Sequence, residues 1–203
     1  MNLLTTPWLP VVTRNGREII RPSEIVRSDV LALDFPRSDF NGAVTEFLIG
    51  LLSTVAAPRD DGEWLRLYKD RPTVADLDEV FVAIREAFDL GRFMQADIEG
   101  EPTPVEQLVP DTEGDSTARN NLDMMNRNGK IGALSPAMAA AALITMQASA
   151  PEGGSAANNE SGATRVGYYA SIRGGGPLTT LVCIGTDLWG AYGPTLRVAP
   201  AIR

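Results

Sequence analysis

The sequence predicts an α+β fold, with an N-terminal β-hairpin, a helical middle, C-terminal strands and two long polar loops. Three patterns support this prediction. An Asn-Gly pair near the start lies between β-branched residues, and the middle of the chain repeats apolar residues at helical spacing. Towards the end, two β-branched runs flank a row of three glycines. At 203 residues the chain is long enough to bury a core of its own.

The opening segment, PWLPVVTRNGREIIRP, is predicted to form the hairpin. Asn15 and Gly16 suit the two central positions of a type I′ turn, which require positive φ angles. Pro7 and Pro10 indicate an edge strand, because proline has no N–H to donate to a ladder.

Four helices are predicted between the two strand regions. Thr73 and Asp76 have the spacing of a capping box before the third helix. Ser135 and Pro136 suit the N-cap and first position of the fourth helix, and Val105–Leu108 is expected to form a short helical turn. The helical segments are SDFNGAVTEFLIGLLSTVAAP, DDGEWLRLYKD, the stretch after Thr73, and SPAMAAAALITMQAS.

Composition excludes several classes of site. The chain has no histidine, so it cannot form a Ser-His-Asp triad, a Cys-His pair or an imidazole zinc site. Its single cysteine, Cys183, cannot form a thiolate metal site and fits a reducing cytoplasm. No apolar run reaches the roughly 20 residues of a membrane helix. We therefore expect a cytoplasmic protein with no secretory signal, membrane partner, cofactor or metal site. On composition alone, any catalysis would have to use carboxylates, lysine, tyrosine, serine or threonine.

Charge is unevenly distributed along this acidic chain, whose net charge is −8. Residues 1–115 carry 11 basic and 22 acidic groups, a net of −11. Residues 116–176 carry 5 basic and 3 acidic groups, a net of +2. A polyanion would therefore be attracted most to the middle third of the chain.

Candidate nucleic-acid-binding residues cluster in this middle third, in loops 116–131 and 151–167 and just after them. Basic groups attract phosphates, asparagine can read base edges, and an exposed apolar side chain can wedge between bases. On composition alone, a solvated loop with its two methionines packed inward is the favoured interpretation of the first cluster. The candidates are Arg119, Met124, Met125, Asn126, Arg127, Lys130, Gly153, Gly154, Arg165 and Arg173.

The glycine row Gly174–Gly176 does not have the context of a nucleotide-binding loop. No lysine follows it, and Pro177-Leu178-Thr179-Thr180 leads into β-branched residues and not into a helix. A tight turn explains the glycines, while a loop that meets a phosphate together with Arg173 is a second interpretation. A small enzyme that uses carboxylates and this loop to hold a phosphorylated substrate is thus an alternative function. A scaffold that only docks proteins is a third.

A series of segments in order resembles one family, the large subunit of the type I-E CRISPR surveillance complex Cascade, called CasA. The segments are MNLLTTPWLPV, FPRSDF before the apolar helix, AAPRDDGEW behind it, FMQ at Phe93–Gln95, SP with the alanine-rich helix, and IRGGGPLTTLV. The first and last of these are the most specific.

The resemblance implies a non-catalytic subunit that recognises the protospacer-adjacent motif (PAM) of target double-stranded DNA. It implies contact with the 5′ handle of the guide RNA, association with the other Cascade subunits and recruitment of the effector nuclease-helicase. It also implies that residues 1–203 form the N-terminal domain, or part of it, without the family's C-terminal helical bundle.

By position, the family's first functional loop falls on Asp123–Arg127, where methionine replaces an aromatic residue. Its glycine-rich PAM loop falls between Pro151 and Gly167. Because family members continue beyond this point, we expect the apolar residues Leu188, Trp189 and Tyr192 to have lost their cover.

Overall fold

A computed structural model describes residues 1–93, 105–108, 120, 131–149 and 185–196. The backbone divides into two units, Met1–Phe93 with Thr179–Arg203, and Met94–Leu178. The first unit holds an antiparallel sheet and most of the described helices, which confirms the predicted α+β class. The predicted C-terminal strands and both long polar loops lie outside the described residues.

The predicted hairpin is confirmed as strands β1 (Leu9–Thr13) and β2 (Gly16–Ile20). The register pairs Thr13 with Gly16, so Arg14 and Asn15 are the central turn residues. The prediction of Asn15 and Gly16 at those positions is therefore wrong by one residue. Gly16 still has a positive φ of 133°, and the Thr13 Oγ1 hydroxyl accepts a hydrogen bond from the Asn15 N–H at 3.2 Å. This side-chain bond fixes the turn.

The predicted edge position of the first strand is also wrong. A third strand, β3 (Val30–Leu33), pairs antiparallel with β1, and the sheet order is β2-β1-β3. Pro10 is tolerated in this central strand because the ladder with β3 begins at Val11. The Pro10 carbonyl accepts a hydrogen bond from the Asp34 N–H at 2.8 Å. Pro10 therefore still provides an acceptor to the sheet, although it has no N–H to donate.

Helix α1 (Ser38–Val55) supplies the centre of the core, as its apolar spacing predicts. Its buried face includes Phe40, Val44, Leu48 and Leu52. The core also contains Trp8, whose indole N–H donates to the Leu3 carbonyl at 2.7 Å. Aromatic side chains extend this core through ring contacts between 5.1 and 6.4 Å; they are Trp8, Phe35, Phe40, Phe47, Phe88 and Phe93.

Two further predicted helices follow. Helix α2 (Asp61–Lys69) has no buried side chain, and its Trp64 and Tyr68 rings stack 5.8 Å apart. Helix α3 (Val74–Val82) begins with the predicted capping box between Thr73 and Asp76. 3₁₀ segments at Pro22–Val26 and Arg85–Phe88 complete this region.

The start of the chain is fixed to the end of this helical region. Asn2 forms an isolated antiparallel bridge with Asp89. The Leu3 N–H donates to the Phe88 carbonyl at 2.8 Å, and the Leu90 N–H donates to the Met1 carbonyl at 2.8 Å. These bonds hold the first residues beside a segment almost 90 residues later in the sequence.

The second unit contributes the 3₁₀ turn Val105–Leu108 and helix α4 (Pro136–Ser149), both as predicted. The Ser135 hydroxyl accepts a hydrogen bond from the Met138 N–H at 3.3 Å and so caps α4. Six of its 14 residues are alanine, and Ala140, Ala141 and Ala142 are fully buried. Among the residues that the structure describes, no helix is long and apolar enough to cross a membrane.

Candidate functional site

All ten predicted nucleic-acid-binding residues, together with Gly174–Gly176, lie outside the described residues and stay predictions. The described residues that border their segments are Leu108, Asn120, Ile131, Ser149 and Gly185. The ten residues are Arg119, Met124, Met125, Asn126, Arg127, Lys130, Gly153, Gly154, Arg165 and Arg173. The structure does describe residues 185–196, which begin 12 positions after Arg173, and the contacts that attach them to residues 1–93.

An ion pair between Arg71 and Asp187 is the main attachment. The guanidinium Nη2 donates to both carboxylate oxygens of Asp187, at 3.0 and 2.8 Å. Its Nη1 donates to the Val26 carbonyl at 3.0 Å. The Asp187 side chain is only 5% exposed and that of Arg71 is 30% exposed, so the pair is largely shielded from water. Three distant parts of the sequence therefore meet at one guanidinium group.

Asp187 also begins helix α5 (Leu188–Tyr192), because its carboxylate accepts a hydrogen bond from the Gly190 N–H at 2.8 Å. Gly185 lies so close to this helix that an added Cβ would come within 2.3 Å of the Gly190 carbonyl carbon. A larger residue could not fit there without moving the backbone. The segment 185–190 is thus held by one charge pair and one close backbone approach.

The residues expected to be uncovered are buried. Leu188, Trp189 and Tyr192 are 4%, 3% and 4% exposed, so the predicted loss of their cover is wrong. Helix α5 contacts β3 and the 3₁₀ segment Pro22–Val26, which supply the cover from within the same unit. The Tyr192 and Thr45 hydroxyls lie 2.9 Å apart, and burial raises the pKa of Tyr192 to about 12.

A second ion-pair cluster surrounds Arg27. Its guanidinium donates to Glu18 at 2.6 Å and to Asp29 at 2.7 Å, and it lies 3.4 Å from Glu24. Hydrogen bonds to Asp29 and Glu18 raise the pKa of Arg27, while its donation to Asp29 lowers the pKa of that carboxyl group. The cluster joins β2, the segment Pro22–Val26 and the approach to β3.

Asp29 is expected to make stability depend on pH. Its pKa is lower in the folded protein than in the unfolded chain, so its contribution is complete above pH 4 to 5 and is lost as the pH falls further. The Asp29→Asn variant should be less stable than the parent at pH 6 and should lose less stability between pH 5 and pH 3. Urea unfolding at several pH values measures this difference. Glu79→Gln, at an exposed position without an ion pair in the described part of the chain, is the control; parallel curves for parent and Asp29→Asn contradict the prediction.

Four cations of residues 1–93 have side chains without a hydrogen bond or ion pair to the described chain: Arg66, Lys69, Arg85 and Arg92. Arg85 and Arg92 line an open groove of about 680 Å³ together with Glu86 and Asp89. Because two cations and two anions share this groove, it does not select for a polyanion. Within the described residues there is also no group of three acidic or cysteine side chains placed to hold a metal ion.

The sequence predictions missed Arg71 and Asp187. These residues are separated by 116 positions, and no local pattern links an arginine before a proline to an aspartate so far away. The one available signal was local: Asp187 precedes an apolar run and suits a helix N-cap.

Comparison with models of known protein families identifies the family of this chain. The model of the family CRISPR-associated protein Cse1 matches residues 2–191. The chain belongs to the Cse1 family. Cse1 is the same protein as CasA in the solved structure from Thermus thermophilus described as "CasA (Cse1)". The predicted resemblance to the type I-E CasA family, in its N-terminal portion, is therefore confirmed.

Solved Cse1 structures have the same fold. The Cse1 protein from Acidimicrobium ferrooxidans is 28% identical, with a TM-score of 0.56 over 73% of this chain and 28% of that chain. CasA (Cse1) from Thermus thermophilus is 23% identical, with a TM-score of 0.58 over 75% of this chain and 31% of that one. A chain described as part of a CRISPR RNA-guided surveillance complex is 18% identical, with a TM-score of 0.66 over 95% of this chain and 43% of that one. The sequence thus spans about a third of the length of the two Cse1 proteins it matches.

Proposed function

We propose that this chain is part of the large, non-catalytic subunit of a type I-E Cascade complex. In this role it recognises the PAM of target double-stranded DNA, contacts the 5′ handle region of the guide RNA and helps to recruit the effector nuclease-helicase. Its partners are then the other Cascade subunits, the guide RNA, PAM-containing DNA and that nuclease-helicase.

The observation that carries the proposal is the family match over residues 2–191. A structural match whose description names an RNA-guided surveillance complex supports the same assembly. Within such a complex the guide RNA reads the target sequence by pairing, and the protein has only the short PAM to read.

The distribution of charge supports the assignment of nucleic-acid contacts to the middle of the chain. Most guanidinium groups of residues 1–93 are already neutralised by carboxylates, which leaves them poorly suited to phosphates. The described pairs are Arg17–Asp34, Arg21–Asp78, Arg27–Asp29, Arg37–Asp39, Arg59–Glu63 and Arg71–Asp187. The net positive segment, residues 116–176, contains the candidates Arg127 and Lys130.

Removal of Arg127 and Lys130 is expected to weaken DNA binding. The assembled complex, carrying the full-length protein with Arg127→Ala and Lys130→Ala, should bind a PAM-containing duplex about tenfold less tightly. If each cation contacts one phosphate, the slope of log K against log salt should fall by about 2 units. Asn126→Ala should instead reduce the preference for the PAM over a non-PAM duplex without a change of slope. Equilibrium binding at four salt concentrations measures both effects.

The matched control removes the same charge elsewhere. Arg66 and Lys69 lie on α2, have no ion pair within the described residues and are exposed. The Arg66→Ala, Lys69→Ala variant should bind like the parent, which separates a local contact from a change in net charge. If both double variants bind equally, the assignment of Arg127 and Lys130 is wrong.

A further inference from the structure

Three Asn-Gly pairs occur in the sequence, and the structure describes two of them. Asn15–Gly16 lies at the turn between β1 and β2, and Asn41–Gly42 lies in the first half of α1. Asn128–Gly129 lies outside the described residues. This dipeptide is chemically reactive, because glycine has no side chain to shield its main-chain nitrogen. That nitrogen can attack the side-chain amide of the preceding asparagine, an intramolecular step that closes a succinimide ring.

The side-chain amide of Asn15 is free to rotate towards that nitrogen. Within the described part of the chain it makes no hydrogen bond, since the bond from Asn15 to the Thr13 hydroxyl uses the main-chain N–H. Asn15 and Gly16 are both exposed, so water reaches the reacting groups. A Cβ added at Gly16 would meet nothing within 4 Å, which shows that the space around this residue is open.

The attacking nitrogen belongs to the end of the sheet ladder. Gly16 is the first residue of β2 and pairs with Thr13, the last residue of β1, directly beside the turn. The ends of such ladders open locally at a lower free-energy cost than their interiors. Gly16 has a φ of 133°, which residues with a Cβ rarely adopt. The glycine that this turn requires is therefore also the residue that makes Asn15 reactive.

Asn41–Gly42 has the same chemistry but is held in place. The Asn41 Oδ1 accepts a hydrogen bond from the Phe35 N–H at 2.9 Å. Its Nδ2 donates to the Phe35 and Arg37 carbonyls at 3.1 and 3.2 Å. Ring closure would have to break these three bonds. Gly42 lies within α1, so its nitrogen could attack only after the first turns of this helix had opened.

We propose that Asn15 is a site of spontaneous deamidation and that Asn41 is protected from it. The Gly16 main-chain nitrogen forms a bond to the Asn15 Cγ, and the bond from Cγ to Nδ2 breaks. The proton of the Gly16 N–H passes through water to the departing nitrogen, which leaves as ammonia. Water then opens the ring at either carbonyl and gives aspartate or isoaspartate. In sum, one water is consumed and one ammonia is released, without oxidation or reduction.

The experiment incubates the folded full-length protein and follows both asparagines by peptide mapping with mass spectrometry. Replacement of the amide NH₂ by OH changes the mass of each converted peptide. We expect Asn15 to convert at least about tenfold faster than Asn41, because the cost of local opening differs between a turn and a helix. The rate at Asn15 should rise between pH 7 and pH 9, since the attacking nitrogen must lose its proton.

Concentrated urea supplies the matched control, because the two pairs then have the same dipeptide without its folded surroundings. In the unfolded chain Asn15 and Asn41 should convert at similar rates. Asn15→Ser should abolish the conversion at this position and leave the rate at Asn41 unchanged.

Two results would overturn the proposal. Equal rates at Asn15 and Asn41 in the folded protein mean that the fold does not distinguish the two pairs. No conversion at Asn15 in the folded protein, over a period in which the unfolded chain reacts, means that the hairpin protects this asparagine. Neither result bears on the proposed function, because the turn chemistry is independent of the complex.

Discussion

Asp187→Ala should lower the free energy of unfolding by about 3 kcal/mol, at the lower end of the range for breaking a buried ion pair. The substitution leaves the Arg71 guanidinium without its carboxylate, and the partial exposure of Arg71 (30%) moderates the cost. It also removes the acceptor that caps α5 at the Gly190 N–H. Both losses act on the segment that follows the predicted DNA-contacting residues.

Chemical unfolding of the purified protein measures this effect, and a double-mutant cycle separates its two parts. Asp187→Asn keeps a capping oxygen and removes the charge, while Arg71→Met removes the cation. The double variant Arg71→Met, Asp187→Asn should recover part of the loss, because no charge is then left unpaired. Arg59→Ala is the control, since the Arg59 side chain of the Arg59–Glu63 pair is 88% exposed and such pairs contribute about 1 kcal/mol or less. A loss for Asp187→Ala no larger than that for Arg59→Ala rules out the structural role of the pair.

Trp8→Ala should destabilise the first unit by about 3 to 5 kcal/mol. The Trp8 side chain is 1% exposed and packs against Phe35 and Phe47, so its removal leaves a cavity in the aromatic cluster. Its indole N–H is also the donor to the Leu3 carbonyl, which the substitution leaves without that bond.

Trp64→Ala removes a side chain of the same size from α2 and is the matched control. Trp64 is half-buried and stacks on the exposed ring of Tyr68, so its loss should cost about 1 kcal/mol or less. Thermal and urea unfolding compare the two variants. If the two variants lose similar amounts of stability, the core of this unit does not lie around Trp8.

The sequence predicted those elements whose signals are local. The capping box at Thr73, the Ser135 cap before α4 and the apolar spacing of α1 each depend on neighbours within one or two helical turns. The hairpin was also found, although Asn15 and Gly16 were placed one residue out of register. The Thr13 side chain explains this shift, because it forms hydrogen bonds within the turn. A rule based on the Asn-Gly pair alone does not take these bonds into account.

The errors arose where distant parts of the chain meet. Strand β3 was not predicted because four residues carry too little periodicity, and without it β1 was taken for an edge strand. The burial of Trp189 depends on contacts of α5 with β3 and with Pro22–Val26, more than 150 positions earlier. For the candidate site, sequence reasoning supplied the loop residues, which stay predictions. The Arg71–Asp187 pair joins positions 116 apart and could be found only from the structure.

The bond between Thr45 and Tyr192 has a consequence for biosynthesis, because it joins residues 147 positions apart. A ribosome that adds about 5 to 20 residues per second needs roughly 5 to 20 s to pass from residue 90 to residue 192. During that interval the nascent chain can close the bridge from Asn2 to Asp89, but α1 still lacks the helix that covers its Thr45 side. Exposed apolar surface in an incomplete nascent chain is a target for chaperones, so this N-terminal unit is expected to finish folding late in its own translation.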